Sequence, residues 1–438
     1  MKPNIFILTI DSLRADKFYG PTKTSKTPNI DNLIQHGTYF EQAISSVDAT
    51  DPSFGCIMTG QYPFQTGIDF YKNHTKATKL FSILKKYGYN LYGIIPKKSF
   101  FETITKDFES VDTYSIDPYV LLYEGTGDRI IKKLLTEKFV NPWVYFIHIM
   151  DLHPTAGKFV YPDKFSSTEY GQNNYEKSIS AIDYWIGEIF QNIDLDETLV
   201  VITADHGDYI PVTDKRITNI SNIQNVLKKI KQIFPFAEPI GLKFFIFLQN
   251  LIGNYRRAKY EKIFSQQEMR GFNKRADRFL FDDVLHIPIL LAGPGIDKGL
   301  KIPNQVRHVD LLPTILELVG VDKTESDGIS LVSLLKGNQM EETPAYIESA
   351  NINRKTRGYV IGIRTSKYKY FRSRYDKKQH VHLYDLQIDP LEQNNIAENN
   401  PSMVNSMEKI LQDIVQSASK TRLKNLISKN RSKFSLQE

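Results

Sequence analysis

Carboxylates and a histidine directly follow two apolar segments of the chain, and their side-chain types suit the binding of a divalent cation. Asp11 follows segment 5–10, and Asp205 and His206 follow segment 198–203. A carboxylate at the end of a buried strand is costly to desolvate unless a cation or a helix N-terminus neutralises it. Oxygen and imidazole donors side by side suit Mg²⁺, Mn²⁺ or Zn²⁺. Each residue alone could be a helix cap or a structural histidine, but two such clusters in one sheet favour a metal site.

A candidate nucleophile, Thr50, lies where a stretch of small residues turns into a predicted helix with Pro52 in its first turn. Backbone N–H groups and the positive end of the helix dipole at such a position stabilise a phosphate, a sulfate or an alkoxide. The alternative is that Thr50 is only a helix N-cap.

The segments that carry these residues indicate an α/β fold. Helix-period segments alternate with apolar runs typical of buried strands, which predicts a doubly wound, mostly parallel sheet with helices on both faces. Ligands bind at the carboxyl ends of the strands in such sheets, which is where Asp11 and Asp205 lie. The strand-like runs are 5–10, 91–95, 144–149, 198–203 and 287–291, and the helix-like segments are 29–36, 80–87, 127–135, 175–193 and 311–319.

Composition excludes several classes of protein. The chain has 438 residues, 41% hydrophobic and 24% charged, which is the profile of a globular protein and not of a disordered chain, a collagen or a disulfide scaffold. The single cysteine, Cys56, excludes an internal disulfide and a thiolate metal cage, and we expect it to be buried. The sequence shows neither a signal peptide nor a transmembrane segment, so we expect a cytoplasmic protein, either free or peripheral at the inner membrane face.

Basic residues are concentrated in two regions of the chain, 211–280 and the C-terminal segment 404–438. Region 211–280 has 14 Lys and Arg against 5 Asp and Glu, and the net charge of the whole chain is only +6. This asymmetry predicts anionic surface partners and argues against a nucleic-acid binder. Within it, the basic and partly apolar segment 235–260 could lie in a membrane interface, or form a helical hairpin that packs on the core or on another subunit.

We expect three parts along the chain. A catalytic α/β domain covers 1–330 and carries the insert 211–280, a smaller C-terminal α+β subdomain covers 331–403, and a basic helix or tail covers 404–438. Strand-like pieces in the subdomain are 345–348, 360–365 and 368–372.

Seven blocks of the sequence carry a family resemblance. The chain resembles the sulfatase branch of the alkaline phosphatase superfamily nearly from end to end, which implies an alkaline phosphatase-like fold and an enzyme that acts on phosphoric or sulfuric ester bonds. The blocks, in the family's order, are PNIFILTIDSLRAD, TPNIDNLIQHGTYFEQAIS, TDPSFGCIMTGQYP, TADHG, HIPILLAGPG, HVDLLPTILELVG and HLYDLQIDPLEQNNIA.

The resemblance implies a metal-bound nucleophile. Asp11, Asp205 and His206 match the family's ligands for a divalent ion, whose identity (Mn, Mg, Ca or Zn) stays open. Thr50 matches the nucleophile, which also binds the ion. The metal would lower the pKa of the hydroxyl and neutralise charge on the ester oxygens.

Four further residues are candidates for three substrate-contacting positions of the family. His153 matches a histidine that contacts the transferred group or the leaving oxygen, and His286 falls near a basic residue with a similar role. Lys97 or Lys98 aligns with a lysine that binds the remaining substrate charge. The alternatives are a loop histidine, a packed histidine and solvated lysines.

Two departures from the family's pattern shape the predicted chemistry. In the family that this chain resembles, the sulfatases that use formylglycine carry a C/S-x-P-x-R motif. In this chain, Thr50 and Phe54 stand at the first and last positions of that motif. Since threonine is the nucleophile in related phosphodiesterases and phosphotransferases, we favour phosphodiester cleavage, with a lipid-linked or glycan substrate. The alternatives are a sulfatase without formylglycine and a non-catalytic anion-binding relative. The family's paired aspartates are replaced by Asp11 and Ser12, so we expect a single metal ion.

Overall fold

The computed structural model describes residues 2–69, 72–117, 119–137, 139–153, 159–210, 251–272, 278–350 and 359–434, with side chains described only to 418. The chain divides into two compact units, Met1–Asp208 with Arg275–Glu438, and Tyr209–Lys274. The smaller unit contains a helix over 251–260 and another at Gln266–Met269. Residues 211–250, and with them most of the predicted membrane-contacting segment 235–260, lie outside the described residues.

The larger unit contains an eight-stranded sheet, whose strands are β1 Asn4–Ile10, β2 Gly37–Ile44, β3 Asn90–Pro96, β4 Ser110–Tyr114, β5 Trp143–Ile149, β6 Thr198–Ala204, β7 His286–Ala292 and β8 Leu300–Arg307. They lie in the order β4-β3-β5-β1-β6-β7-β2-β8. Strands β4, β3, β5, β1 and β6 run parallel to one another, and β7 is antiparallel to both of its neighbours. The predicted mostly parallel α/β sheet is confirmed.

Strands β2, β4 and β8 were not among the predicted strands, and composition explains why. β4 and β8 are the edges of the sheet, so their sequences SVDTY and LKIPNQVR lack the continuous apolar run of a strand buried on both faces. β2 carries exposed Glu41 in its middle and is irregular near that point, which hides its period.

Three central strands carry the functional edge of the sheet. β1 lies between β5 and β6, and every residue of the three strands is buried. Thr9 of β1 pairs with His148 of β5 and with Thr203 of β6. Because the three strands are parallel and in register, Asp11 and Asp205 emerge at the same edge.

Helices flank the sheet and position the catalytic candidates. The helix Thr50–Thr59 is buried along its whole length and ends at Gly60, whose φ of 66° is left-handed. The α-helices of the larger unit are Ala15–Phe18, Pro28–Gln35, Thr50–Thr59, Pro63–Thr66, Lys79–Lys86, Ser99–Ile104, Thr126–Thr136, Asn174–Phe190, Asp282–Leu285, Leu311–Leu318, Val332–Leu335 and Pro401–Phe434.

A second sheet is four-stranded and antiparallel, and its strands are β9 Ala345–Glu348, β10 Val360–Arg364, β11 Tyr368–Ser373 and β12 His382–Asp385. They lie in the order β12-β11-β10-β9. The core of this sheet includes Cys56 and Tyr62 from the N-terminal part of the chain, and Leu411 from the C-terminal helix. The small sheet thus supports the helix that begins at Thr50, and the expected burial of Cys56 is confirmed.

Within the described residues, no helix combines the length and apolar character needed to cross a bilayer. The expected cytoplasmic or inner-membrane location stays a prediction.

Candidate active site

Side chains from three separate parts of the sequence meet beyond the ends of β1 and β6. The Thr50 hydroxyl donates to Asp11 Oδ2 at 3.3 Å, and its oxygen lies 3.4 Å from His206 Nε2. His206 Nε2 lies 3.3 Å from Asp205 Oδ2. Asp11, Asp205 and His206 have no exposed surface, and Thr50 is 9% exposed. The structure therefore brings together the four residues predicted to hold a metal, while their roles stay predictions.

The imidazole of His206 is oriented by the main chain. Its Nδ1 lies 2.8 Å from the carbonyl oxygen of Gly207 and donates to it, so in the neutral ring Nε2 carries the lone pair; Nε2 faces Thr50 and Asp205. Glycine is required at 207, because a Cβ there would lie 2.2 Å from the carbonyl oxygen of Asp283. The sharp turn after β6 thus presents the nitrogen that a metal would use.

Ser12 fixes both carboxylates. Its hydroxyl donates to Asp11 Oδ1 at 2.6 Å, and its backbone N–H donates to Asp205 Oδ1 at 3.1 Å. This geometry depends on the left-handed backbone of Ser12, which has a φ of 62°. The residue that replaces the second aspartate of the family's pattern is therefore a positioning residue that leaves both Oδ2 atoms directed at the Thr50–His206 side.

His148 is a site residue that the sequence analysis missed. It lies in β5, and its Nε2 is 3.8 Å from Asp11 Oδ2. One ligand atom from each of Asp11, His148 and Asp205 lies within 4.8 Å of the others. Burial lowers the pKa of His148 to about 3, so the ring is neutral. A histidine among the aromatic and aliphatic side chains of the strand WVYFIHI, next to β1, is the signal that could have found it.

The donor set fits a divalent cation. Two buried carboxylates and two buried imidazoles are ligands that such ions accept, and the carboxylates are expensive to bury without one. Within the described part of the chain, the buried Nε2 of His148 has no hydrogen-bond partner, as expected for an atom that faces an ion.

Only one of the two candidate lysines reaches the site. Lys98 forms an ion pair with the buried carboxylate of Asp51, the residue after Thr50. Burial raises the pKa of Asp51 even though Lys98 acts to lower it. Lys97 is exposed. The geometry thus favours Lys98 over Lys97 as the cation beside the candidate nucleophile.

The two further candidate histidines differ in their surroundings. His153 is half-buried, stacks on Tyr119 and has its Nδ1 3.1 Å from the Tyr119 hydroxyl; residues 154–158 lie outside the described residues. His286 has its Nε2 2.8 Å from the carbonyl oxygen of Glu41. It lines a cavity of about 830 Å³ together with Asp16, and the described lining includes no member of the Thr50 cluster. The structure therefore does not bring His286 into that cluster.

Phe54 occupies the motif position where formylglycine sulfatases carry arginine. Its ring meets the imidazole of His148 edge-on, with centroids 5.1 Å apart, and Phe101 stacks on the same imidazole at 4.6 Å. The motif's cation is thus replaced here by an aromatic side chain that packs against a neutral histidine.

Comparison with known proteins agrees with this architecture. The family model for sulfatases matches residues 3–321. The chain belongs to the sulfatase family. A second model, for the C-terminal region of N-sulphoglucosamine sulphohydrolase, matches residues 268–420. Family membership confirms the predicted resemblance and the predicted class of enzyme, in the form of a hydrolase that acts on sulfuric ester bonds.

Individual members of the family are similar over nearly the whole chain. Arylsulfatase K of Mus musculus is 22% identical to this chain, and the alignment covers 94% of this chain and 79% of arylsulfatase K. The phosphonate monoester hydrolase of Agrobacterium radiobacter superimposes with a TM-score of 0.65 at 15% identity, covering 95% of this chain and 96% of its own. A protein solved with its substrate D-glucosamine-2-N,6-O-disulfate gives a TM-score of 0.65 at 15% identity, and the superposition covers 96% of this chain and 99% of that protein. These structures share the sulfatase fold with this chain.

Proposed function

We propose that this sulfatase-family chain is a metal-dependent hydrolase or transferase that cleaves phosphate esters, phosphodiesters by preference, through Thr50. The observation that carries the proposal is the distance of the Thr50 oxygen from two candidate ligands, 3.3 Å to Asp11 Oδ2 and 3.4 Å to His206 Nε2. A hydroxyl held at a helix N-terminus, beside groups that fit a divalent ion, is in the position of an activated nucleophile.

Asp11, Thr50, Asp205 and His206 are the residues that would hold the ion. When bound, a divalent ion lowers the pKa of a coordinated hydroxyl and neutralises charge that develops on ester oxygens. The Thr50 hydroxyl gives up its proton to solvent and Oγ1 attacks phosphorus, the bond from phosphorus to the leaving oxygen breaks, and that oxygen takes a proton. His153 is our candidate donor of this proton. The Thr50 adduct of a phosphodiester still carries the substrate's second ester group; water or a second alcohol then attacks its phosphorus, the Thr50 oxygen leaves, and that oxygen takes up a proton to restore the hydroxyl.

The charge beside Thr50 supports a substrate group with a single negative charge. Lys98 is already paired with Asp51, and Phe54 stands where the motif's arginine would add a second cation. Phosphodiesters and sulfate monoesters each carry one negative charge, whereas a phosphate monoester carries about two near neutral pH. We therefore expect weaker activity on phosphate monoesters.

The choice between phosphodiester and sulfate ester depends on how the covalent intermediate is released. A threonine ester has no geminal hydroxyl that could expel sulfate by elimination, so it must be cleaved at phosphorus or sulfur. This favours the phosphodiester. The second candidate is a sulfatase that works without formylglycine, which family membership and the similarity to arylsulfatase K favour.

The proposal is tested with matched aryl phosphodiester, phosphate monoester and sulfate substrates. We compare the wild-type chain with Thr50→Ser, which keeps a hydroxyl, and Thr50→Val, which keeps the shape without it. We expect the phosphodiester to be the best substrate, Thr50→Ser to retain measurable turnover and Thr50→Val to lose it. Acid quenching during turnover of the phosphodiester, followed by peptide mass spectrometry, should find Thr50 carrying the phosphoryl group together with the substrate's remaining ester group.

Turnover by Thr50→Val equal to the wild type would refute the nucleophile. A strong preference for the sulfate, with sulfate found on Thr50, would select the second candidate. Failure of all three substrates to turn over with added Mn²⁺, Mg²⁺, Ca²⁺ or Zn²⁺ would select a non-catalytic anion-binding protein.

We further propose a glycan or lipid-linked substrate. A structural relative binds a sulfated glucosamine as its substrate, which supports the glycan. The basic segment 235–260 motivates the lipid, and comparing liposome flotation with and without that segment tests membrane contact.

A further inference from the structure

His148 is a fully buried histidine with only one of its two ring nitrogens engaged by the protein. Nδ1 lies 2.9 Å from the hydroxyl of Thr9, but Nε2 has no hydrogen-bond partner within the described residues. The nearest carboxylate oxygen, Asp11 Oδ2, lies 3.8 Å from Nε2, which is too long for a hydrogen bond. A buried nitrogen left in this state costs free energy, so its orientation implies a partner other than the described side chains.

The contacts of Thr9 decide which nitrogen of His148 carries the proton. The Thr9 hydroxyl has one hydrogen, which it donates to the carbonyl oxygen of Ile147 at 3.1 Å. Its oxygen therefore accepts the hydrogen of His148 Nδ1, and Nε2 keeps its lone pair. That lone pair is repelled by the Asp11 carboxylate and cannot donate a hydrogen bond to a phosphate or sulfate oxygen. A cation between the two groups removes the conflict.

The surrounding side chains hold the imidazole in this orientation. The Phe101 ring stacks on it with an interplanar angle of 21°, and the Phe54 ring meets it at 86°. Because β5 pairs with β1 on one side, the backbone of His148 is fixed as well. A nitrogen with a fixed lone pair and a fixed ring is a preorganised ligand.

We propose that His148 is a further metal ligand, which binds through Nε2 the same divalent ion as Asp11 and Asp205. This inference rests on the proposed function, since it concerns the metal site of the proposed enzyme. The ligand atoms of the three residues lie within 4.8 Å of one another. The imidazole supplies a donor that compensates for Ser12, which replaces a second carboxylate.

The proposal also selects the class of metal. His148 and His206 together provide two imidazole nitrogens, and imidazole favours Zn²⁺ over Mg²⁺ and Ca²⁺, which prefer oxygen ligands. We therefore expect zinc to bind the purified chain most tightly among the four candidate ions.

His308 offers a matched control, because it is an equally buried histidine with both nitrogens engaged. Its Nδ1 lies 3.1 Å from the Ser53 hydroxyl and its Nε2 lies 2.9 Å from the carbonyl oxygen of Ala204. Replacing it removes a buried imidazole without removing a predicted ligand.

The experiment measures Zn²⁺ affinity of the full-length chain by competition with a chelating indicator. We expect His148→Gln to weaken binding roughly 100-fold and Thr9→Val, which removes only the hydroxyl that sets the tautomer, to weaken it about tenfold. His308→Gln should lower the melting temperature of the metal-free protein but leave zinc affinity within about twofold of the wild type. Pulsed EPR of bound Mn²⁺ should detect two coupled imidazole nitrogens in the wild type and one in His148→Gln.

Unchanged zinc affinity in His148→Gln, together with a single imidazole signal in the wild type, would overturn the proposal. Equal losses of affinity in His148→Gln and His308→Gln would also overturn it, because the effect would then follow stability. Neither result affects the Thr50 nucleophile, whose failure is recognised separately by turnover in Thr50→Val with zinc affinity unchanged.

Discussion

A buried carboxyl close to the candidate site makes the stability of the protein depend on pH. Asp151 follows β5, is 9% exposed, and accepts the backbone N–H of Leu122 at 3.0 Å. Burial raises its pKa from 3.8 to about 7. Folding therefore favours the protonated form. The stability that this group contributes is fully present below about pH 4 and is lost as the pH rises through about 7.

The magnitude follows from the shift in pKa. About three pKa units correspond to about 4 kcal/mol of unfolding free energy between pH 4 and pH 8, at about 1.4 kcal/mol per unit. Asp151→Asn keeps an oxygen that accepts the Leu122 N–H but cannot ionise. We expect the unfolding free energy of the variant to exceed that of the wild type at pH 8. This difference should be larger at pH 8 than at pH 4, by up to about 4 kcal/mol.

Urea unfolding at a series of pH values, in the presence of a chelator, measures this difference. Titration of the other groups cancels between variant and wild type, which isolates the contribution of Asp151. Asp107→Asn, which makes the same substitution at an exposed position, is the control. A constant difference between Asp151→Asn and the wild type from pH 4 to pH 8 would contradict the burial argument.

Three further outcomes test the site. Lys98→Met should lower kcat/KM at least about tenfold, because it removes the cation beside Thr50. Lys97→Met, at an exposed position, should leave kcat/KM unchanged. Equal effects of the two substitutions would disprove the choice between the lysines. Ser12→Gly should weaken zinc binding about tenfold, because it removes the hydroxyl that holds Asp11. It should change the stability of the fold little, since relief of the positive φ (about 1 kcal/mol) offsets the lost hydrogen bond to Asp11 (about 1 kcal/mol). A large fall in melting temperature would contradict this. Chelation should lower the melting temperature, since a ligand at 100 times its Kd stabilises the folded state by about 2.7 kcal/mol; an unchanged value would count against a metal in the folded protein.

The sequence by itself was sufficient for the central strands and for one part of the candidate site. Strands buried on both faces have continuous apolar runs, and Asp11 and Asp205 directly follow two of them, so their arrival at one edge could be predicted. The edge strands β4 and β8 could not be found in this way, because a strand with one open side needs no continuous apolar run. The antiparallel direction of β7 likewise has no local signal, since direction depends on the connection and not on composition.

Tertiary structure decided which of the remaining polar residues belong together. Lys97 and Lys98 are neighbours in sequence, but only Lys98 reaches Asp51, because successive side chains leave the main chain in different directions. His286 follows the motif order, yet its imidazole is directed to the Glu41 carbonyl. His148 lies at the candidate site because β5 pairs with β1, and the register of the two strands places His148 opposite Thr9. Residue type and spacing report what a side chain can do, whereas its partners depend on strand order, register and rotamer, which arise only when distant segments pack.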